Sequence, residues 1–454
     1  MPVMVNRKRR PQSARSNTHH GPPTIPVTVD ALAWGGRGVG RHAGKVIFVS
    51  KAVPGDSLLV QLNRVKTRYA EGRIQAVLHP SSHRVEPKCK FFSHCGGCQW
   101  LAVSYERQLA EKEALLKSIL RHHLSDCELL PIVPSEPPRG YRHRGDFHVR
   151  PSGAGAKMGF FQESSHQLVN LDRCLLFDEA YNAVYGQLRK TMQREPSAAH
   201  VERLTLARSE FGERYVALLW MRDDSPPSSV AEVEKWVGGH GLAGTLLVSA
   251  RDPSKVLAAS GTSQISYGLQ GERPIEVKAD IRSFTQAHFA LNRRLVDAAK
   301  GILALSRHER LLDLYSGVGN FTLPLAQECR EVVAVEENPF AHENAKDNAQ
   351  MNAILTIKHL PGDAGSWVRK LVSASERFDA ALLDPPRDGA KGVIEVLGHL
   401  APKRILYISC NLPSLDRDLQ AFAERGYRPA LVQPWDLFPQ TYSVETLCLL
   451  NRAQ

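Results

Sequence analysis

The sequence contains no apolar run of roughly 18 residues, the length that a helix needs to span a bilayer. Its first twenty residues are basic and polar, without the apolar core of a secretory signal. We therefore expect a cytoplasmic protein with no membrane partner. Cysteine is scarce, with eight residues in 454. Without an export signal, these cysteines predict metal binding or catalysis rather than disulfides.

The composition is that of a globular chain with an excess of positive charge. The hydrophobic fraction is 43%, and 58 Lys plus Arg oppose 47 Asp plus Glu, a formal charge of +11. Such an excess favours a polyanionic partner such as nucleic acid, although a basic surface without any ligand would look the same. The length predicts two to three domains.

The pattern of elements divides the chain into four parts. Residues 1–22 are predicted to be a disordered basic tail. Residues 23–82 hold short strands broken by glycines, which predicts a small β-barrel with basic side chains. Residues 83–275 mix helical and strand-like stretches, which indicates a central α+β region. From residue 276 to 454, strands alternate with helices, and this is typical of a doubly wound α/β domain.

A glycine turn in the C-terminal part predicts a cofactor site. Residues 313–320 (D-L-Y-S-G-V-G-N) follow an apolar strand and open a helix. Thr322 occupies the third glycine position of a dinucleotide site, so the shorter turn fits S-adenosylmethionine better, with an unrelated nucleotide as the alternative. Glu336, or its neighbour Glu337, ends the next strand and is placed to bind ribose hydroxyls. Asp363 follows the third strand and is a candidate for the adenine.

The fourth and fifth strands end in residues that suit chemistry on a pyrimidine. Asp384 opens D-P-P-R, where Arg387 replaces the aromatic residue of amino-methylating enzymes. Cys410 ends the fifth strand in S-C-N. A thiolate that adds to carbon 6 of uracil makes carbon 5 nucleophilic enough to take a methyl group, and a base must then remove the carbon-5 proton. Glu445, in V-E-T, is the candidate base.

A second group of cysteines has the spacing of a metal site. Cys89, Cys95 and Cys98 form C-x5-C-G-G-C, and Cys174 follows later in the chain. Four thiolates suit either zinc or an iron–sulfur cluster, and the spacing leaves both open. It does not match the C-x3-C-x2-C of radical enzymes that use S-adenosylmethionine.

Together these motifs resemble the uracil-5 RNA methyltransferase family. The resemblance is greatest to those members that act on 23S ribosomal RNA and carry an N-terminal TRAM domain and a [4Fe-4S] cluster. It implies an OB-like, RNA-binding TRAM barrel, a central α+β iron–sulfur domain, and a class I methyltransferase domain that is Rossmann-like. It also implies roles for individual residues. The cluster ligands would be Cys89, Cys95, Cys98 and Cys174, the S-adenosylmethionine contacts Gln286, Tyr315, Asn320, Glu336, Asp363 and Asp384, the nucleophile Cys410 and the base Glu445.

Some residues depart from the family pattern, and other functions stay possible. Leu412 stands where proline commonly follows S-C-N, and Gln440 and Ser443 stand where histidines often precede the base. A transfer RNA T-loop uridine methyltransferase is the nearest alternative, but it typically lacks the cysteine group and the TRAM domain. A noncatalytic RNA-binding or assembly protein is the alternative from another class. We expect a monomer.

Overall fold

The computed structural model describes residues 23–212 and 214–453, so the predicted tail over residues 1–22 lies outside the described residues. The first strands are β1 (Thr24–Leu32), β2 (Gly38–His42), β3 (Lys45–Ser50), β4 (Ser57–Val65) and β5 (Tyr69–His79). They close into a barrel in the order β1, β2, β3, β5, β4, as predicted. Alternate apolar side chains, among them Val27, Ile47 and Leu58, fill its interior. Gly40 in β2 is required because a Cβ at this position would lie 2.1 Å from the Thr28 carbonyl oxygen.

Residues 80–104, named here the cysteine loop, lead from the barrel into a helix. This helix is α1 (Tyr105–Ile119). The short strand β6 (Glu128–Leu129) follows. The helix contacts both β1 and the C-terminal part of the chain.

The central region is a seven-stranded mixed sheet with helices packed on it. Its elements are β7 (Arg144–Ser152), β8 (Gly155–Phe161), β9 (Leu168–Asn170), α2 (Glu179–Met192), a 3-10 helix (Pro196–His200), β10 (Val201–Arg208), β11 (Tyr215–Met221), α3 (Pro227–Gly238), β12 (Gly244–Ser249) and β13 (Val256–Gly261). The strand order is β13, β12, β11, β10, β7, β8, β9. A hairpin of β14 (Gln264–Leu269) and β15 (Ile275–Asp280) follows.

The C-terminal part is a doubly wound α/β sheet, as the alternating pattern predicted. Its elements are α4 (Phe289–Leu303), β16 (Arg310–Leu314), α5 (Thr322–Ala326), β17 (Glu331–Glu336), α6 (Pro339–Met351), β18 (Ile357–Pro361), α7 (Ala364–Ser373), β19 (Ala380–Leu383), α8 (Ile394–Leu400), β20 (Arg404–Ser409), α9 (Leu412–Ala423), β21 (Tyr427–Trp435) and β22 (Glu445–Arg452). The order is β18, β17, β16, β19, β20, β22, β21, β6. Alternate residues face opposite sides, so that Leu311 and Leu382 enter one core while Leu312 and Leu383 enter the other.

One strand joins this sheet from a distant part of the sequence. Glu128 and Leu129 of β6 pair in parallel with Leu431 and Val432 at the sheet edge. The segment after the cysteine loop therefore packs on the C-terminal sheet, while the predicted domain division stays a prediction. Over residues 23–212 and 214–453, no helix combines the length and apolar character needed to cross a membrane.

Candidate active site

The carboxyl edge of the C-terminal sheet gathers most of the predicted site residues. Strands β16 to β20 pair in parallel, so their carboxyl ends share one edge. Tyr315, Glu336, Asp384 and Cys410 each end or directly follow one of these strands, and Asp363 follows β18 after Gly362. The predicted strand ends therefore converge, as the motifs required.

Glu445 reaches the same edge because β22 runs in the opposite direction. It is the first residue of β22, and Thr446 pairs with Ser409 in the antiparallel register between β22 and β20. The start of β22 consequently lies beside the end of β20. This register brings Glu445 next to Cys410, although the two residues are 35 positions apart in the sequence.

The charged groups around Cys410 act on one another through a buried environment. Burial, then the Glu445 and Asp384 carboxylates, raise the pKa of Cys410 to about 12, against the opposing charge of Arg387. Burial and the charge of Asp384 raise the pKa of Glu445 well above its usual range. Although Asp384 keeps part of its surface exposed, burial and the charge of Glu336 raise its pKa to about 7. A cation bound among these carboxylates would lower their pKa values and favour the thiolate.

The glycine turn after β16 presents its backbone toward the tip of β17. Tyr315, Gly317 and Gly319 adopt positive φ angles of 64°, 58° and 92°. A tyrosine in the left-handed region is uncommon and marks a constrained turn. The Gly317 N–H donates to one Glu336 carboxylate oxygen at 2.8 Å, and the Asn338 N–H donates to the other at 2.7 Å. Glu336 is thereby fixed, and each of its oxygens keeps a lone pair for a ligand hydroxyl.

Two other residues predicted to contact the cofactor already have hydrogen-bond partners within the protein. Asn320 exchanges side-chain hydrogen bonds with Asn292 at 2.8 and 3.0 Å and accepts one from the Tyr267 hydroxyl. Asp363 caps α7 by accepting from the Ser366 N–H at 2.7 Å, and these bonds to Ser366 lower its pKa. Both side chains therefore hold the backbone of the edge.

Gln286 is different, because it presents an unused acceptor. It lies in the loop before α4 and is 7% exposed. Its side-chain oxygen is buried and finds no hydrogen-bond partner among residues 23–212 and 214–453. A buried acceptor without a donor is unfavourable, and a ligand with N–H or O–H groups would satisfy it.

Asp313 is a buried acid that the sequence analysis did not select. It lies in β16 between the core residues Leu312 and Leu314, and burial raises its pKa to about 7. The Thr322 hydroxyl donates to it at 2.5 Å. In the sequence, the only sign of this contact was Thr322, which stands at the position where a dinucleotide site has its third glycine.

A set of contacts from α1 holds the loop of residues 436–444, named here the Glu445 loop. Lys112 is fully buried and donates to Asp436 at 2.5 Å and to the Ser443 carbonyl at 2.7 Å. Gln108 accepts from the Gln440 N–H at 2.9 Å and donates to its side-chain oxygen at 3.0 Å. Sequence reasoning missed these contacts because no local pattern links α1 to so distant a loop.

The second group of cysteines also converges. Cys89, Cys95, Cys98 and Cys174 line one cavity of about 30 Å³ with apolar walls that include Phe160. All four are free thiols and are half-buried. Burial and then the nearby Cys174 raise the pKa of Cys98, and burial raises the pKa of Cys174 to about 11.

The backbone around these cysteines is closely fixed. The Gly97 N–H points at the Cys95 sulfur at 3.4 Å. A side chain at Gly96 would lie 2.9 Å from the Glu163 nitrogen, so this position requires glycine. The Cys174 N–H donates to the Asn182 side chain at 2.9 Å. In the part of the chain that the structure describes, however, no three His, Cys, Asp or Glu side chains are placed to hold a single metal ion.

Comparison with known proteins agrees with this architecture. A family model described as tRNA (Uracil-5-)-methyltransferase matches residues 104–453, and a TRAM domain model matches residues 23–74. An RNA methyltransferase of Thermosynechococcus vestitus, itself named as uncharacterized, is 35% identical over 94% of this chain and 98% of its own. The 23S rRNA (uracil(1939)-C(5))-methyltransferase RlmD of Aeromonas hydrophila is 31% identical over 95% of this chain and 97% of its own.

A solved structure shares the whole fold. The Pyrococcus abyssi tRNA (uracil-54, C5)-methyltransferase, crystallised with S-adenosyl-L-homocysteine, superimposes with a TM-score of 0.72. It covers 93% of this chain and 99% of its own, at 23% identity.

Proposed function

The chain belongs to the tRNA (uracil-5-)-methyltransferase family and carries a TRAM domain, and we propose from this that it methylates carbon 5 of a uridine in 23S ribosomal RNA. The methyl donor is S-adenosylmethionine. One observation carries the proposal: the β20–β22 register places the Glu445 carboxyl beside the Cys410 thiol at the edge where α/β domains bind ligands. The full-length similarity to RlmD favours ribosomal RNA as substrate. We expect the protein to act as a monomer in the cytoplasm.

The residues at the edge fit the chemistry of the donor. S-adenosylmethionine supplies an electrophilic methyl group on a positively charged sulfur. The buried carboxyl of Asp384 suits a cation, and Glu336 suits ribose hydroxyls. The unused acceptor of Gln286 suits an N–H or O–H group of the same ligand. Tyr315, Asn320 and Asp363 would line the site, the last two chiefly by fixing its backbone.

Cys410 and Glu445 would carry the covalent steps on the RNA base. The Cys410 thiolate forms a bond to carbon 6 of uracil, and the carbon 5–carbon 6 π electrons move onto the carbonyl at carbon 4 as an enolate. Carbon 5 of the enolate then attacks the methyl carbon, the bond from that carbon to the donor's positively charged sulfur breaks, and neutral S-adenosylhomocysteine is left. Glu445 removes the carbon-5 proton, the double bond re-forms, and the carbon 6–sulfur bond breaks to return the thiolate. Because its pKa is raised, the Glu445 carboxylate is a stronger base than an exposed glutamate.

We further propose that Cys89, Cys95, Cys98 and Cys174 hold a [4Fe-4S] cluster. The four thiols share one apolar cavity, and thiol groups brought this close together favour a cationic metal between them. Each iron of a cluster takes one cysteine, so four sulfurs need not converge on one atom as zinc demands. This explains how the residues suit a cluster while no group of three is placed around a single ion. Methyl transfer needs no redox step, so the cluster would support structure.

The proposal is tested with purified protein, S-adenosylmethionine carrying a labelled methyl group, and separate transcripts of 23S ribosomal RNA and transfer RNA. We expect label in 23S RNA, and nucleoside mass spectrometry should identify 5-methyluridine. Label on nitrogen, on ribose oxygen or on cytosine would contradict the reaction. Label in transfer RNA alone would retain the reaction and replace the substrate. Unchanged methylation by a Cys410→Ala variant would remove the Cys410 thiol from the reaction, and no methylation of either RNA by the wild-type protein would favour a noncatalytic RNA-binding role.

A further inference from the structure

A second cavity lies where four separate parts of the chain meet. It has a volume of about 700 Å³, within the range of small-molecule sites. Its walls come from the barrel, the cysteine loop, the central sheet and the Glu445 loop. None of the predicted catalytic, cofactor or cysteine-site residues lines it. The active site described above therefore leaves this cavity unexplained.

Aromatic rings from several parts of the chain line this cavity. Half-exposed rings are contributed by Trp34, Phe48, Tyr69, Phe161 and Tyr442. Trp34 meets Tyr442 edge to face with 5.0 Å between ring centroids, and Phe48 meets Tyr69 in the same way at 5.8 Å. Phe48, Tyr69 and Phe161 lie on strands, whereas Trp34 and Tyr442 lie in loops and pack against each other. Half-exposed rings held in this way are suited to stacking on a planar ligand.

The charges in the cavity disfavour a phosphate and suit the edge of a base. Arg37 lies 3.3 Å from a Glu71 oxygen and 3.6 Å from a Glu163 oxygen. Two carboxylates therefore outnumber the one guanidinium, and Arg37 is already paired. A carboxylate oxygen accepts hydrogen bonds from the amino and imino groups on the edge of a nucleobase. The phosphates of an RNA strand would remain outside.

The position of the cavity connects it to the reaction. Tyr442 belongs to the Glu445 loop and stands three residues before Glu445. We infer that this cavity binds one unstacked nucleobase of the RNA, distinct from the uridine that is methylated, and so selects which uridine reaches Cys410. The inference deepens the proposed function and rests on it in taking RNA as the ligand.

The test uses the full-length protein with Tyr69→Ala and, separately, Phe48→Ala. The probe is a 23S ribosomal RNA transcript that contains the uridine methylated by the wild-type protein. Loss of one stacking contact should raise KM for RNA by roughly 10- to 100-fold, with a much smaller change in kcat. Tyr69→Phe, which keeps the ring, should restore most of the affinity. Phe211→Ala is the matched control, because Phe211 is 48% exposed and lies outside the cavity.

Ultraviolet cross-linking of the wild-type complex provides a readout that does not depend on activity or on the variants' stability. Mass spectrometry of the digested complex should find one nucleotide attached to a peptide containing Trp34, Tyr69 or Tyr442. An unchanged KM in a folded Tyr69→Ala variant, with cross-links only elsewhere, would overturn the inference and leave the proposed function intact. Cross-links to the cavity residues in a protein that transfers no methyl group would support the inference and overturn the proposed function. The variants could instead bind RNA normally but fail to bind a ribosomal protein. That result would assign the cavity to a protein partner and overturn the inference.

Discussion

The edge of the C-terminal sheet and the cysteine cavity both contain half-buried thiols, but the neighbours of those thiols differ. Burial is the largest cause of the raised pKa at Cys410 and at Cys98 alike. The next cause at Cys410 is the Glu445 carboxylate, whereas at Cys98 it is another thiol, Cys174. A thiol beside a proton acceptor suits covalent catalysis, and a thiol among thiols suits a metal. The neighbours, rather than burial, distinguish the two roles.

Exchanging the sulfur at the sheet edge should give the largest effect. Cys410→Ser should reduce methyl transfer by roughly 10⁴-fold or more, because a nucleophile is removed from a set that acts as a unit. The covalent RNA adduct should disappear from denaturing gels. Cys127→Ser is the matched control, since Cys127 is also a half-buried free thiol but lies in neither site. An adduct that persists in the Cys410→Ser variant would remove Cys410 from its proposed role.

Removing the proton acceptor next to Cys410 should give the second largest effect. Glu445→Gln should lower kcat by roughly 10²- to 10⁴-fold, because the carbon-5 proton then has no base to receive it. The methylated adduct should accumulate, and mass spectrometry of the trapped complex would detect it. Normal turnover in this variant would mean that another group is the base.

At the cysteine cavity the same kind of substitution should act mainly on metal content. Cys98→Ser should remove most of the iron and the brown colour from protein purified without oxygen. Methyl transfer should fall by roughly 10- to 100-fold at most, because the proposed cluster would support structure rather than take part in the reaction. Metal analysis and absorbance check this, with Cys127→Ser again as control. Zinc without iron in the wild-type protein would overturn the cluster.

The smallest effect concerns Asp313, a buried acid in one of the strands that form the sheet edge. The pKa of Asp313 is raised from 3.8 to about 7 by burial. The folded state thus holds its proton more tightly, and the resulting stabilisation, complete below pH 3.8, is lost as pH rises through about 7. Asp313→Asn should therefore raise Tm by a few degrees at pH 8 and much less at pH 5.

The matched control for this pH effect is Asp379→Asn. Hydrogen bonds from the Arg310 backbone and from Lys403 keep the pKa of Asp379 below its usual value, despite partial burial. Its removal should lower Tm at neutral pH, and this difference should shrink as acid protonates Asp379 in the wild-type protein. Calorimetry without cofactor checks both variants. Equal Tm changes for Asp313→Asn at pH 5 and pH 8 would contradict the assignment.

Local patterns predicted the sheet edge well. Each apolar strand and the turn or site residue that follows it lie within a few positions of one another in the sequence. The predicted runs around Leu312, Ala334, Leu382 and Leu406 became β16, β17, β19 and β20. The cap at Asp363 also had a local signal in Ser366, the usual third position for a capped N–H.

Long-range pairing explains what the sequence did not reveal. The nearness of Glu445 to Cys410 depends on the register of β22 against β20, which no neighbouring residue encodes. The same holds for Asn320, whose partner Asn292 lies on α4. The strand order of the central region was not predictable either, because its strands combine parallel and antiparallel pairs.

The ion pair between Lys112 and Asp436 affects when the protein can fold during translation. The two residues are 324 positions apart, so during translation the lysine emerges long before its counterion is made. A buried charge without its partner destabilises a fold by roughly 3–5 kcal/mol. The part of the growing chain around α1 should therefore reach its final fold only after the segment that contains Asp436 has left the ribosome. A chain ended before residue 436 should consequently lose hydrogen-exchange protection at the backbone amides of α1 rather than behave as a folded, inactive enzyme.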